Sequence, residues 1–257
     1  MTAGGRPCPA PRKHSLHILW IYRTVRQLRA PTNLKLPPVS AATSKLPKRR
    51  AADVAYDAIE SLISTMRIEP GSPVVEGELV ELTGLGRTPV REALLRMTAI
   101  GLITQQPRRG LLVSNIDLAD HLDVIQTRRV LEDVIARCSA RRASAAQRKE
   151  IVRCAERMVK AAERGNLTEY MRADHELDLI NHLACQNKSA VNAVVPLIVQ
   201  CRRFWYAYQH QGDIVAAAHA HLQLAEGIAT GDENDAVTGA NKLLDYLESF
   251  ARRIIDR

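Results

Sequence analysis

The sequence has no run of about 18 apolar residues, so a membrane-spanning helix and a membrane partner are not expected. The longest apolar stretch near the start, Ile18–Tyr22, is too short for a signal peptide and precedes no small-residue cleavage site. The five cysteines lie far apart and form no CxxC pair, which argues against a disulfide framework and a structural zinc cluster. We therefore expect a protein of the reducing cytoplasm.

Motifs that mark common catalytic sites are also missing. The sequence contains no GxSxG nucleophile elbow and no P-loop, and we find no other setting for a nucleophile. Hydrophobic residues make up 46% and charged residues 25% of the chain, which is ordinary for a globular protein and excludes wholesale disorder. These observations favour a folded protein that is not an enzyme.

Acidic residues are absent from the first 50 positions, which hold eleven of the 36 Lys and Arg residues and seven of the twelve prolines. Residues 51–257 therefore carry 25 basic and 28 acidic side chains, and the net charge of +8 comes from the N-terminal segment. We predict a basic, flexible tail over residues 1–46, with an amphipathic helix as an option over Ser15–Leu28. Three interpretations stay open: an unstructured tail, a start codon placed too far upstream, and an arm that adds nonspecific phosphate contacts.

Residues 51–113 carry the signals of three short helices followed by a hairpin. Apolar residues recur at helical spacing, Gly and Pro separate the segments, and two short apolar runs flank a turn. The predicted elements are helices over Ala52–Met66, Glu76–Thr83 and about Arg87–Ala99, strands over about Leu102–Gln106 and Leu111–Ser114, and a turn at Pro107–Gly110. This order is typical of a winged helix-turn-helix, whose third helix enters the major groove of DNA.

The third helix separates apolar from basic side chains. At about 100° per residue, one arc collects the apolar residues Val90, Ala93, Leu94 and Met97. Arg87, Thr88 and Arg91 fall on the other arc, and Pro89 lies in the first turn, where no amide hydrogen bond is lost. Arginines one turn apart at a helix start can reach guanine edges or phosphates, so we predict a double-stranded DNA operator as the partner.

The hairpin turn adds two further basic residues, Arg108 and Arg109, while Gly110 lets the backbone approach a phosphate or the minor groove. Two arginines at helical spacing are, by themselves, more typical of an ordinary solvated helix face. The combination of tight turn, helix and basic hairpin reverses that preference and favours DNA binding.

The run Leu79–Leu94 resembles the GntR family of bacterial transcription regulators, as do Glu69–Gly71, Gly101–Ile103 and Pro107–Gly110 with Val113. The resemblance implies that the operator is contacted by Arg87, Thr88, Pro89 and Arg91, and that the wing uses Arg109 and Gly110. The family usually has Ser or Thr where this chain has Gly86, and often a polar or basic residue where it has Gly77. A glycine caps a helix at a cost of a few tenths of a kcal/mol but supplies no hydroxyl for a phosphate.

Residues 116–257 show only helical signals. The predicted helices lie near 117–141, 145–163, 167–184, 189–209, 213–229 and 233–255. Asn115 and Asp117 are predicted caps of the first of them. We therefore expect a mainly α protein, with a winged helix-turn-helix domain over 47–115 and an all-α bundle of six or seven helices over 116–257.

The helical segment resembles the C-terminal FCD domain of the FadR subfamily. The resemblance rests on Arg129–Glu132, on Asp174 with Asn187 thirteen residues later, and on His221 with Gly231-Asp232. It implies a helical domain that binds a small effector, often a carboxylate, and often a divalent metal held by one Asp and three His. A homodimer fits this organisation, because two-fold symmetry matches two winged domains to a pseudo-palindromic operator.

The metal ligands of that domain carry over only in part. Asp174 matches the Asp and His221 matches the second His, while Asp178 stands where the first His is expected and Leu243 where the third is expected. Two alternatives stay open: a weakly held divalent metal on Asp174 and His221, helped by Asp178 and waters, and a metal-free polar pocket. No cofactor is certain from the sequence.

An effector carboxylate calls for an arginine, whose planar fork pairs with it. The candidates are Arg203, with its neighbour Arg202, and Arg129, with its neighbour Arg128. The predicted effector-binding residues are thus Arg129, Asp174, Asp178, Arg203 and His221. The aromatic stretch that follows Arg203, from Phe204 to Tyr208, fits either core or dimer packing or the wall of a pocket.

The sequence as a whole predicts a homodimeric, ligand-responsive DNA-binding transcription regulator in which effector binding in the bundle changes operator affinity. Two alternatives from other classes are a metal-dependent enzyme built in the helical bundle and a nonspecific architectural DNA binder that uses the basic tail. The first would need a complete ligand set with an open coordination position.

Overall fold

The computed structural model describes residues 49–256. The predicted basic tail over residues 1–46 and the optional helix over Ser15–Leu28 lie outside these residues. None of the described helices is both long and apolar enough to cross a membrane.

The described residues form nine α-helices, one short 3₁₀ helix and one two-stranded antiparallel sheet. In chain order the elements are α1 (Ala51–Ser64), α2 (Glu76–Thr83), α3 (Arg87–Ala99), β1 (Ile103–Gln106), β2 (Gly110–Val113), α4 (His121–Arg142), α5 (Ala145–Glu163), α6 (Leu167–Cys185), α7 (Lys188–Tyr208), the 3₁₀ helix (Gln209–Gln211), α8 (Ile214–Thr230) and α9 (Glu233–Ile255). The predicted fold class, mainly α with a winged helix-turn-helix before a six-helix bundle, is confirmed.

Each of the last five helices begins at a residue whose side chain accepts a hydrogen bond from a backbone N–H of the first turn. These residues are Ser144, Asn166, Asn187, Asp213 and Asp232. Such caps satisfy N–H groups that have no partner inside the helix and contribute about 1 kcal/mol each. The helix starts of the bundle are therefore set locally, which explains why the sequence predicts them within one residue.

The first bundle helix is the exception, and the prediction that Asn115 and Asp117 cap it near residue 117 is wrong. Helix α4 begins at His121, after Asp120, which provides no side-chain cap. Asp117 instead accepts hydrogen bonds from the amides of Ala119 (2.9 Å) and Asp120 (3.4 Å). An Asp side chain can stabilise a turn as well as a helix start, and here the turn prevails.

The hairpin gains a third backbone segment that the sequence does not predict. In the register of β1 and β2, Gln106 pairs with Gly110 and Ile103 with Val113. On the other edge of β2 the amide of Gly71 donates to Val113 O (2.8 Å) and the amide of Val74 donates to Leu111 O (2.8 Å). Helix α1 has already ended at Ser64, before Pro70, and Gly71 leads the chain into an edge pairing that depends on contacts distant in sequence.

Helix α7 belongs to the bundle and also packs against the winged helix-turn-helix. Val199 is 2% exposed and lies in the hydrophobic cluster that α1, α2 and α3 form with the hairpin. The other buried apolar residues of α7 lie in two hydrophobic clusters of the bundle, with Phe204 and Trp205 in the larger one and Val194 and Ile198 in the smaller one. Helix α7 thus contributes to the cores of both halves of the described chain.

The pH dependence of stability can test whether the ring of His121 is buried in the bundle. Its ring is 4% exposed and stacks on Phe204, with centroids 3.7 Å apart. Burial and the positive charge of Arg128 lower the pKa of His121 to about 4. In the unfolded chain this histidine has its ordinary pKa of about 6.5, so between about pH 6.5 and pH 4 the unfolded chain binds more protons than the folded protein. The free energy of unfolding should therefore fall by up to about 3 kcal/mol as the pH drops from about 6.5 to about 4.

We expect His121→Phe, which keeps the stacked ring and removes the titration, to flatten the pH dependence of stability between about pH 6.5 and pH 4. Urea unfolding of both proteins across this range measures the difference. His219→Gln, at an exposed histidine of α8, provides the matched control for loss of one histidine. Equal dependences for the wild type and His121→Phe would show that His121 is not buried as a neutral ring.

Candidate nucleic-acid interface and buried charge cluster

The third helix has one buried face and one exposed face. Its buried residues are Val90, Ala93, Leu94 and Met97, each at most 4% exposed. Arg87, Thr88 and Arg91 are exposed on the other side. The structure thus brings these three predicted contact residues to one surface, at the N-terminal end of α3.

The turn before α3 explains how that end of the helix is presented. Gly84 ends α2 in the left-handed conformation (φ 68°), which residues other than glycine adopt only at a cost, and its amide donates to Val80 O (3.0 Å). Gly86 then occupies the N-cap position without a side-chain hydrogen bond. Pro89 takes the third helical position, before the first helical bond from Val90 N to Gly86 O, so its missing N–H costs nothing.

The two arginines of this surface differ in their local partners. Arg87 has no hydrogen bond or ion pair among the described residues, whereas Arg91 binds Glu76 through two bonds, Nε–Oε2 at 3.0 Å and Nη2–Oε1 at 3.1 Å. Glu76 is the first residue of α2, and the hydrogen bond to it raises the pKa of Arg91. Sequence reasoning missed this pair, because fifteen residues separate its members and only the tight turn brings them together.

The wing turn places its basic residues at an exposed tip. The amide of Arg109 donates to Gln106 O (3.2 Å), which closes a turn with Pro107 second and Arg108 third. Arg108 has a φ of 63°, as the third residue of a type II turn requires, although it is not a glycine. Gly110 follows at φ 75° and returns the chain into β2. Arg108, Arg109 and Gly110 are all exposed.

A cluster of buried charges lies where α1 meets the bundle helices, and its centre is Arg202 of α7. The side chain of Arg202 is 8% exposed, and each of its three nitrogens contacts a carboxylate. Nε donates to Asp174 (2.7 Å), Nη2 donates to Asp178 (2.6 Å) and Nη1 donates to Glu60 (3.1 Å). Two of these acids lie on α6, while Glu60 lies on α1 of the winged half.

Two histidines complete the cluster. His221 of α8 has Nε2 3.2 Å from Asp174 Oδ1 and Nδ1 2.8 Å from Ala217 O. His175 of α6 lies between two acids of α1, 3.4 Å from Asp57 and 3.5 Å from Glu60. Burial opposes the charge of both rings, but the neighbouring carboxylates prevail and raise the pKa of each histidine above its ordinary value.

The two aspartates of α6 respond differently to the same surroundings. Burial opposes ionisation of Asp174, but Arg202 and His221 outweigh it and hold its pKa well below the usual range. Burial and the negative charge of Asp174 raise the pKa of Asp178. Ionisable groups with shifted pKa values at one buried place are a frequent property of functional sites.

The predicted effector residues divide into two groups. Asp174, Asp178 and His221 come together around Arg202, which the sequence offered only as the neighbour of Arg203. Arg203 is buried and donates to the carbonyl oxygen (2.6 Å) and hydroxyl (3.1 Å) of Ser114 just beyond β2, and burial lowers its pKa to about 10. Arg129 pairs with Asp245 and Glu248 of α9. Neither arginine forms a hydrogen bond or ion pair with the cluster.

The described residues contain no group of three or more His, Cys, Asp or Glu side chains arranged to hold a metal ion. Leu243, at the position of a ligand in the FCD resemblance, is 1% exposed and lies in the hydrophobic core. The acids of the cluster are already paired with Arg202, so the donors that the sequence suggested for a metal bind a side chain of the protein.

Comparison with known proteins gives two family matches and several relatives. The model of bacterial regulatory proteins of the gntR family matches residues 51–113, and the FCD domain model matches residues 123–246. The chain is 30% identical over 190 residues to the HTH-type transcriptional repressor RspR of Escherichia coli (strain K12). The aligned region covers 73% of this chain and 82% of that protein. It is 24% identical to the probable D-xylose utilization operon transcriptional repressor of Paenarthrobacter nicotinovorans, over 76% of this chain and 85% of that one.

Shorter matches concern uncharacterized HTH-type transcriptional regulators of Agrobacterium vitis and Streptomyces ambofaciens, of whose lengths the chain spans 48% and 33%. Among solved structures, E. coli McbR/YncC has a TM-score of 0.68 at 14% identity, over 80% of this chain and 99% of that one. A putative GntR transcriptional regulator from Rhodococcus sp. RHA1 has a TM-score of 0.54 at 16% identity, over 80% and 97%. These structures show a shared fold.

The cap position of α3 generates a stability prediction. A Cβ at Gly86 would lie 3.7 Å from Pro89 Cδ, an ordinary contact, and the backbone (φ −70°, ψ 164°) suits serine. A serine hydroxyl there can accept from the amide of Thr88, which an alanine cannot do. We expect Gly86→Ser to be more stable than Gly86→Ala by about 1 kcal/mol in denaturant unfolding. Equal stabilities would mean that the first turn of α3 does not use a side-chain cap.

Proposed function

The chain belongs to the GntR family of bacterial transcription regulators, in the FadR subfamily with its C-terminal FCD domain, and from this premise we propose a homodimeric repressor or activator that binds a pseudo-palindromic operator and responds to a small carboxylate. Membership of the family makes this chain a DNA-binding transcriptional regulator with an FCD effector-binding domain, and its relatives are named as regulators, not as enzymes. A location in the cytoplasm is part of the proposal and is supported by the DNA target.

One observation carries the DNA-binding part of the proposal: Arg87, Thr88 and Arg91 are exposed together at the start of a helix whose other face is buried. In the proposed complex α3 enters the major groove, with Arg87 and Arg91 on guanine edges or phosphates and Thr88 on the backbone. Pro89 shapes the helix start. Arg109 and Gly110 serve the wing at an adjacent phosphate or the minor groove.

The two-fold arrangement is supported by an exposed apolar strip on α4. Val130 and Val134 lie one helical turn apart and are 67% and 39% exposed. Large apolar side chains at adjacent helical positions become buried when a second copy packs against them. We place the dimer contact on this face of residues 116–257, so that residues 47–115 of each copy read one half-site.

The effector part of the proposal rests on the buried charge cluster. Buried ion pairs contribute little net stability, since desolvation offsets their attraction, and a cluster of them indicates a functional role. We propose that a carboxylate effector binds beside Asp174, Asp178 and His221 and exchanges with one acid on Arg202. Because Arg202 also binds Glu60 of α1, that exchange changes the position of the winged half and so the operator affinity. Roles for Arg129 and Arg203 in the same binding stay predictions.

The double substitution Arg87→Ala with Arg91→Ala tests the operator contacts. Each guanidinium contributes about 1–3 kcal/mol at a base edge or phosphate, so specific binding should weaken at least about thirtyfold and the salt dependence should fall. Gel shifts with a duplex selected from a random library by the wild-type protein measure both effects. Arg153→Ala with Arg164→Ala removes two exposed arginines of the bundle half as the control. Intact specific binding by the first variant would contradict the proposal and favour an architectural binder that uses the basic tail.

The Glu76–Arg91 pair generates a second prediction for the same assay. In the proposed complex Arg91 must leave Glu76 or share it with DNA, and the carboxylate repels nearby phosphates. Glu76→Gln should therefore tighten operator binding several-fold at low salt, and the gain should shrink as salt rises. In an Arg91→Ala background the same substitution should give a smaller gain. A weaker operator complex for Glu76→Gln would show that Glu76 positions Arg91 productively.

A further inference from the structure

The ligand atoms that the FCD resemblance offers to a metal already have partners inside this protein. Asp174 receives Arg202 Nε on Oδ2 and His221 Nε2 on Oδ1, and Asp178 receives Arg202 Nη2 on Oδ2. Leu243 supplies no donor atom. A metal at this place would have to displace a guanidinium that is 8% exposed from two carboxylates at 2.6–2.7 Å.

The contacts of His221 also oppose metal binding at this place. Nδ1 faces the carbonyl oxygen of Ala217 and Nε2 faces a carboxylate oxygen, and both of these oxygens can only accept. Both ring nitrogens are therefore directed at oxygen atoms of the protein. A metal ion at His221 would have to displace Asp174 or Ala217 O from a ring nitrogen.

Arg202 supplies what the metal would supply, a buried positive charge against Asp174 and Asp178 of helix α6, but supplies it from helix α7. Its planar fork fixes the direction of three donors, which a spherical ion does not. Two donors hold the acids of α6, and the third reaches Glu60 of α1, which also accepts a hydrogen bond from Ser64 (2.7 Å). The same cation therefore belongs both to the effector half and to the winged half.

We propose that Arg202 replaces the divalent metal as the fixed cation of this FCD domain and, through Glu60, acts as a positioning residue that ties the domain to helix α1 of the DNA-binding half. The inference goes beyond the proposed function and does not depend on which effector binds. It makes the wild-type chain indifferent to divalent metal and makes Arg202 the residue that keeps metal out.

Uptake of Mn²⁺ tests the first half of the proposal. Mn²⁺ prefers carboxylate and imidazole ligands to thiolates, so the buried cysteines do not compete for it. The full chain is incubated with Mn²⁺, dialysed and analysed for bound manganese by electron paramagnetic resonance and elemental analysis. The wild type should retain none, whereas Arg202→Ala should retain about one ion per chain on Asp174, Asp178 and His221, with a higher Tm in its presence.

The controls separate this gain from general loosening of the fold. Adding Asp174→Asn to Arg202→Ala should abolish the uptake, and Glu60→Gln alone should leave the wild-type indifference unchanged. If Arg202→Ala does not fold, Arg202→Gln, which retains a polar side chain of similar reach, is tested for the same gain. Stoichiometric manganese in the wild type, or no gain in a folded Arg202 variant, overturns the proposal.

Hydrogen–deuterium exchange tests the link to α1. Glu60→Gln should speed amide exchange in both α1 and the part of α7 around Arg202. The matched control, Glu248→Gln, breaks the pair that Arg129 forms with α9 and should leave α1 unchanged. Unchanged exchange of α1 in Glu60→Gln overturns the positioning role. None of these readouts requires operator binding, so failure of the proposed function would be seen separately in the gel shifts.

Discussion

The buried guanidinium of Arg202 is the constraint on which the arrangement of the two halves depends. A cation withdrawn from water is stable only if every donor finds a charged acceptor, and here Asp174, Asp178 and Glu60 meet that requirement. Three carboxylates exceed one guanidinium, and their negative charge raises the pKa of His175 and of His221 against the effect of burial. Removing Arg202 would leave three buried carboxylates without their shared cation, so the members of the cluster depend on one another.

This requirement explains the geometry of helix α7. Val199, Arg202 and Arg203 follow the spacing of one helix face and all contact the winged half, through its hydrophobic cluster, Glu60 and Ser114 respectively. An apolar contact and two sets of polar bonds fix the direction of α1 and the end of β2 relative to the bundle. In the proposed mechanism, a movement of α7 reaches α1 and the end of β2 through these direct contacts.

On the surface of α3 proposed to contact DNA, one of the two arginines is already paired within the protein. Arg87 is unpaired among the described residues, whereas Arg91 is held by Glu76 through a fork of two bonds. Exposed pairs of this kind contribute little to stability because water screens them. The pair with Glu76 can nevertheless reduce the entropy that the long Arg91 side chain loses on binding DNA, but the negative charge of Glu76 competes with the DNA phosphates. In the proposed operator complex, the α2–α3 turn therefore belongs to the interface, because it holds Glu76 beside Arg91.

Local chemistry in the sequence is sufficient to determine most of the helices, and the start of α4 is the exception. The bounds of α2 and α3 follow from hydrophobic spacing, Gly84 and Pro89, and the bundle helices begin at Ser, Asn and Asp caps that act within four residues. The exposed face of α3 follows from the same periodicity. The pairing of Gly71–Val74 with β2, the bond between Glu76 and Arg91, and the choice of Arg202 over Arg203 for the acids of α6 were decided only by the tertiary structure. Neighbouring residues on a helix point about 100° apart, so which of two adjacent arginines meets a distant carboxylate depends on the packing of whole helices, which no local pattern records.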